Sequence, residues 1–169
     1  MNSDKKNWYV VYTKPRWEKK VFSRLGESGM ECYCPLNRVR KTWSDRLKWV
    51  DEPLFKSYVF VKVMEEDLPS VRWVDGVVNF VYWLGKPAII RDTEIEKIRK
   101  FLNDYRDVIA VPLELPADSR ITVLRGALMD KQGTVIRSVG KKVQIRIESI
   151  GYSLVAYVDK SNVVISKTK

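Results

Sequence analysis

The sequence predicts an α+β fold in two parts, an antiparallel sheet flanked by helices and then a small β-barrel. Three observations carry this expectation. As far as residue 105, β-prone aromatic and β-branched runs are interleaved with helical stripes. Residues 106–118 (RDVIAVPLELPAD) hold two prolines and no clear periodicity, which reads as a linker. From Ile121 onward the character is all β, with short β-branched runs at 121–124, 133–139, 142–149, 153–158 and 162–165. The predicted domains are therefore 7–105 and 119–169, joined by 106–118.

Each element has its own signal. Trp8-Tyr9-Val10-Val11-Tyr12 is a compact apolar run, expected as a buried strand. Pro15 suits the first turn of a helix, where a missing N–H costs nothing. Trp17, Val21, Phe22 and Leu25 then form one helical stripe, opposite Arg16, Lys19, Lys20 and Arg24. Those charges fit a solvated face or a phosphate track. Gly26 or Gly29 can supply the left-handed stop. Glu31 to Val63 reads as a long antiparallel hairpin with its tip at Ser44-Asp45-Arg46. Five basic residues and one acid lie in 38–48, and Trp43 and Trp49 are expected across the strands from each other. That pairing fits a stabilised exposed hairpin or a stacking and backbone contact to nucleic acid.

The stretch Pro53 to Val63 is expected as the central strand. Strict alternation puts Phe55, Ser57, Val59, Val61 and Val63 on one face and Leu54, Lys56, Tyr58, Phe60 and Lys62 on the other, unless a local bulge at Lys56-Ser57 turns Phe55 onto the Tyr58 face. The second face is either covered by helices or left as an aromatic patch for a partner. A short helix at 65–75 should end at Gly76, and 77–83 should be another strand, broken at Gly85-Lys86-Pro87. Thr93 with Glu96 reads as a capping box for a helix carrying Ile95, Ile98, Leu102 and Tyr105. In the barrel, Gly140-Lys141 and Gly151-Tyr152 fit glycine-first hairpin turns.

Composition excludes several classes. There are 31 Lys+Arg against 21 Asp+Glu, and seven of the ten net positive charges fall in 119–169, which favours a polyanionic neighbour over a merely soluble surface. Histidine is absent, removing the commonest general base. Cys32 and Cys34, one residue apart on a strand, are poorly placed for a disulfide and too few for a zinc site, so they read as small buried hydrophobes. No nucleophile elbow, phosphate loop or dinucleotide motif occurs. The expectation is a binding protein, not an enzyme, with no metal and no cofactor. No run approaches the roughly 20 apolar residues that cross a bilayer, and MNSDKKNWYVVY lacks signal-peptide order. A cytoplasmic monomer without membrane contact is expected.

WYVVYTKPRWE, PLFKSYVFVKV, GVVNFV and GKPAII resemble the N-terminal domain of NusG-type transcription factors, and LRGALMDKQGTVIRSVGKKVQIRIE resembles the KOW motif that follows it. The likeness spans nearly the whole chain in the family's domain order. Two departures, Lys56-Ser57 where the family often has Pro-Gly and Ala127-Leu128-Met129-Asp130 in the KOW segment, make the chain look like a specialised paralogue of the UpxY and RfaH-like antiterminators. The resemblance implies an N-terminal sheet domain that binds the clamp helices of RNA polymerase and an SH3-like KOW barrel. It implies suppression of pausing and termination on a long surface-polysaccharide operon. By motif position it assigns polymerase contact to Phe55, Tyr58, Phe60 and Ile95, and the non-template DNA strand to Lys14, Arg16 and Arg24. The hairpin cations would meet polymerase or upstream DNA, and the barrel a ribosome or another factor. The alternative is a translation-side protein whose KOW barrel binds RNA or the ribosome. The valine- and isoleucine-rich segment 121–165 predicts a barrel in the free protein, not a docked helical form.

Overall fold

The computed structural model describes residues 4–106, 108, 115–125, 128–149 and 152–166. The chain divides into two compact units, Met1–Val81 with Pro87–Ala110 and Tyr82–Lys86 with Val111–Lys169. In chain order the elements up to residue 104 are β1 (Asn7–Thr13), α1 (Glu18–Glu27), β2 (Glu31–Tyr33), β3 (Leu36–Trp43), β4 (Arg46–Pro53), β5 (Tyr58–Val63), α2 (Leu68–Arg72), β6 (Val77–Phe80), β7 (Tyr82–Trp83), β8 (Lys86–Pro87), β9 (Ile89–Ile90) and α3 (Asp92–Asp104). They are followed by β10 (Arg120–Val123), β11 (Gln132–Val139), β12 (Lys142–Ser149), β13 (Tyr152–Asp159) and β14 (Val163–Ile165). The fold is α+β, as the sequence predicts.

The first unit is built on an antiparallel sheet of order β2-β5-β1-β6, with β9 also paired to β1. β1 is central because its run 8–11 is apolar on both faces. Tyr9 and Val11 alternate with Trp8 and Val10, and all four are buried. Val59, Val61 and Val63 share the first face and are buried against α1, whose Val21 and Leu25 are fully buried. The second face is covered too. Asp92 at the start of α3 accepts hydrogen bonds from Trp8 Nε1 (3.0 Å) and Lys62 Nζ (2.8 Å), and Arg99 lies 4.7 Å from the Tyr33 ring.

Several local expectations shift. α1 begins at Glu18, three residues after Pro15, because Arg16 takes φ 65 and 14–17 close as a turn with Trp17 N–H donating to Lys14 O (3.1 Å). Phe22 is exposed, so the apolar stripe is narrower than its letters suggest. Gly29, at φ 78, supplies the stop, and Gly26 stays inside the helix. The α3 cap lies two residues early, with Glu94 Oε2 accepting from the Arg91 N–H at 3.1 Å in place of the Thr93–Glu96 box. The 53–63 run is two elements. β4 ends at Pro53, and β5 opens at Tyr58 after a turn in which Ser57 has φ 63. Ser57 N–H donates to Glu18 Oε1 (2.7 Å), and Ser57 O accepts from Thr13 N–H (2.9 Å), so a buried carboxylate from α1 fixes the turn. Among the described residues β3 and β4 pair only with each other. Their register sets Trp43 opposite Arg46 and Trp49 opposite Arg40, so the two tryptophans do not face each other.

In the second unit the five strands follow the order β13-β12-β11-β10-β14 around a core of Ile121, Val123, Val135, Val143, Ile145, Ile147 and Val163. Gly140 turns β11 into β12 at φ 56; the turn expected at Gly151 lies outside the described residues. Leu115, read from sequence as linker, is buried in this core, and its carbonyl accepts from Ser138 Oγ at 3.2 Å. Residues 107, 109–114, 126 and 127 of the linker and KOW segments also lie outside the described residues.

Candidate functional site

Two surfaces of the first unit collect the residues that the sequence singles out. The first lies on the sheet face under α3. Ile95 is fully buried on α3, so its side chain is not exposed for a partner in the free chain. Phe60 is buried as well, stacked near Tyr33 (6.3 Å, 26° between planes) and edge-on to Phe55 (6.1 Å, 84°). Both assignments as surface anchors are therefore corrected. The physical reason is α3, which closes the Trp8–Phe60 end of the face. Phe55 and Tyr58 remain half-buried. The turn at 54–57 explains how Phe55 reaches Phe60 despite the alternation rule. Tyr12 sits opposite Tyr58 in register and is half-buried like it, so the less covered part of the face is Tyr12, Tyr58 and Phe55, with the Tyr58 hydroxyl itself buried. Tyr12 was hidden in sequence inside a run read as uniformly buried, although its place two residues beyond Val10 marks the same face.

The second surface is basic and aromatic. Trp17, at the start of α1, has Lys14 Nζ 4.9 Å, Lys20 Nζ 4.6 Å and the Arg24 guanidinium carbon 5.2 Å from its ring centroid. Cations at these distances are attracted to the ring face. Arg24 also donates to Asp75 through Oδ2 (2.9 Å) and the backbone carbonyl (3.0 Å), and Lys14 Nζ stands 3.6 Å from Asp75 Oδ1. Arg16 is exposed beside them. Lys14 and Arg24 thus come together; Lys20, read from sequence on the same charged helix face, joins them, as does Trp17, read there as part of the apolar stripe. Gly76 allows this approach, since a Cβ there would stand 2.7 Å from both Trp17 and Val21. Next to Asp75 an open depression of about 390 Å³ is lined by Arg24, Ser28, Ser70 and Trp73, the last 88% exposed.

The β3–β4 ribbon adds a third feature. Arg38, Arg40 and Arg106 lie 6.0, 5.0 and 5.6 Å from the Trp49 centroid, and Trp43 at the tip is 70% exposed. Among the described residues no group of three His, Cys, Asp or Glu side chains could hold a metal, and no helix is long and apolar enough to cross a membrane. Burial pushes the Cys34 thiol up to about 11, which keeps it protonated at neutral pH.

A family model, the transcription termination factor nusG, matches residues 6–99. The chain is 22% identical to the transcription termination/antitermination protein NusG of Borreliella burgdorferi, over 90% of this chain and 94% of the relative. It is 23% identical to the protein of the same name from Lactococcus lactis, covering 85% and 84%. A solved structure of Thermotoga maritima NusG aligns over 98% of this chain and 99% of its own at 21% identity, with a TM-score of 0.43.

Proposed function

The chain belongs to the NusG family, and from that premise we propose that it is a transcription elongation and antitermination factor acting by binding RNA polymerase. In this reading the 7–105 domain meets the polymerase clamp helices and spans the cleft, disfavouring the opened states that accompany pausing and termination. No bond is made or broken; binding shifts a conformational equilibrium. The observation that carries the reading is the half-open aromatic strip Tyr12, Tyr58 and Phe55, which offers apolar area at the edge of an otherwise closed sheet. Large aromatics are frequent anchors at such contacts. The cations Lys14 and Arg24 over Trp17, with the exposed Arg16, provide a track for the phosphates of the non-template strand. In this reading the 119–169 barrel meets a second factor or the ribosome. The departures at Lys56-Ser57 and 127–130 favour a specialised role on a long surface-polysaccharide operon.

Tyr58→Ala tests the strip. Loss of an anchor of this kind costs about 2 kcal/mol, roughly thirtyfold in affinity for core polymerase, with a melting temperature close to that of the parent. Unchanged binding would overturn the assignment. Replacing Lys14, Arg16 and Arg24 by Gln should weaken crosslinking to the non-template strand in a stalled complex while polymerase binding persists.

A further inference from the structure

We propose that Glu18 is a positioning residue for the aromatic strip: its carboxylate, reaching over from α1, holds the 54–57 turn in the shape that sets Phe55 beside Tyr58. The inference rests on the proposed polymerase contact of that strip and goes beyond it, because Glu18 is buried in the free chain and acts only through the turn. Alternation back from Tyr58 would carry Phe55 to the opposite face, where Val59 and Val61 are buried against α1. Instead the Phe55 ring stands edge-on to Phe60, 6.1 Å away, on the Tyr58 side. The change of face is made at Ser57, which takes φ 63.

A serine in that left-handed region is disfavoured about tenfold, so the turn needs a hold from outside itself. Its internal bond is weak, since Tyr58 N–H reaches Phe55 O only at 3.5 Å. Its entry is anchored by Leu54 N–H donating to Pro35 O at 2.8 Å. At Ser57 both backbone polar groups are gripped by one short stretch of chain. The Ser57 N–H donates to Glu18 Oε1 at 2.7 Å, and Ser57 O accepts from Thr13 N–H at 2.9 Å. Thr13 and Glu18 flank the 14–17 turn, which brings both of them to the same residue. The Thr13 grip is backbone to backbone and survives any side chain there except proline. The Glu18 grip is the one that a side chain specifies. Ser57 is 8% exposed and Glu18 6%, so water does not take the place of the carboxylate unless the turn opens.

Binding of the full chain to core polymerase, at a temperature where circular dichroism shows every variant folded, separates positioning from stability. Glu18→Ala is expected to weaken binding about tenfold. Glu18→Gln keeps an acceptor for the Ser57 N–H and should bind within about twofold of the parent. Ser57→Gly in the Glu18→Ala background removes the cost of the left-handed residue and should recover the larger part of the loss. Val71→Ala, a fully buried change on α2, destabilises the same unit away from the turn and should leave the affinity near that of the parent. A nuclear Overhauser contact between the Phe55 and Phe60 rings reads the turn in the free chain. It should be present in the parent, lost in Glu18→Ala and regained with Ser57→Gly. A ring contact that persists in Glu18→Ala, no recovery with Ser57→Gly, or an equal loss of binding in Val71→Ala would each overturn the proposal. Normal binding by Tyr58→Ala would overturn the strip and this role with it. Lost binding by Tyr58→Ala beside normal binding by Glu18→Ala would overturn this role alone.

Discussion

At the scale of single residues, Glu18 and Asp92 show how much one carboxylate can organise. Glu18 reaches from the first turn of α1 to the Ser57 N–H, inside a turn whose backbone is left-handed at a residue with a side chain. Glu18→Ala leaves that buried donor unpaired, and urea unfolding should register a loss of about 1–3 kcal/mol. Glu18→Gln keeps an acceptor and should recover the larger part. Asp92 binds Lys62 and the Trp8 indole, and the hydrogen bond from Lys62 holds its carboxyl below the ordinary value of 3.8. A carboxyl depressed by folding contributes stability above its unfolded value, and that contribution is lost as pH falls through the folded one. An acid titration of the melting temperature should therefore drop less steeply below pH 3.8 for Asp92→Asn than for the parent. Neither partnership was legible in the sequence. Glu18 and Ser57 are 39 residues apart, Trp8 and Asp92 84, and no local pattern joins them.

At the scale of elements, legibility followed the strength of local signals. The barrel strands match their predicted ranges within one or two residues, because valine- and isoleucine-rich runs alternate there and Gly140 punctuates them. The starts of α1 and α3 moved by two or three residues, at α1 because residues 14–17 close as a turn and at α3 because the Glu94 carboxylate accepts from the Arg91 N–H. The central strand is shorter than its letters, and the interruption falls at Lys56-Ser57, where a bulge was the alternative to strict alternation. PLFKSYVFVKV looks continuous, yet β4 and β5 meet at the 54–57 turn, and Phe55 changes face there. Whether the Tyr58–Phe60 face was covered depended on α3, whose docking the strand's own sequence cannot state. The consequence is measurable. Phe60→Ala and Ile95→Ala should each destabilise the first unit, by about 3–5 and 2–5 kcal/mol, and thermal melts should show early transitions for both. Tyr58→Ala, half-buried, should melt much nearer to the parent.

At the scale of the whole molecule, the relevant quantity is where one cooperative unit stops. Two prolines and a lack of periodicity place a boundary after residue 118, but Leu115 is buried among Ile121, Val135 and Val163, and Asp118 N–H donates to Val135 O at 2.8 Å. A leucine inside a Pro-rich stretch carries no periodic signal, so its role emerges only from the packed core. A fragment beginning at Leu115 should fold as the barrel when separated from the rest. One beginning at Ser119 loses a core leucine, which in comparable settings costs about 2–5 kcal/mol. Circular dichroism melts of the two fragments should differ accordingly, and equal melting would remove Leu115 from the folding unit.

The β3–β4 ribbon is a two-stranded sheet with hydrogen-bonding edges of its own and two large apolar groups, Trp43 and Leu47, near its tip. Such a segment invites a second copy to add a strand. Its register sets Lys41 directly across from Lys48, and a neighbouring ribbon would have to bring still more positive charge alongside them. The same lysines that give the ribbon a basic face therefore act as a guard against self-assembly. Their removal is expected to show first as turbidity in concentrated protein, before any change in the fold.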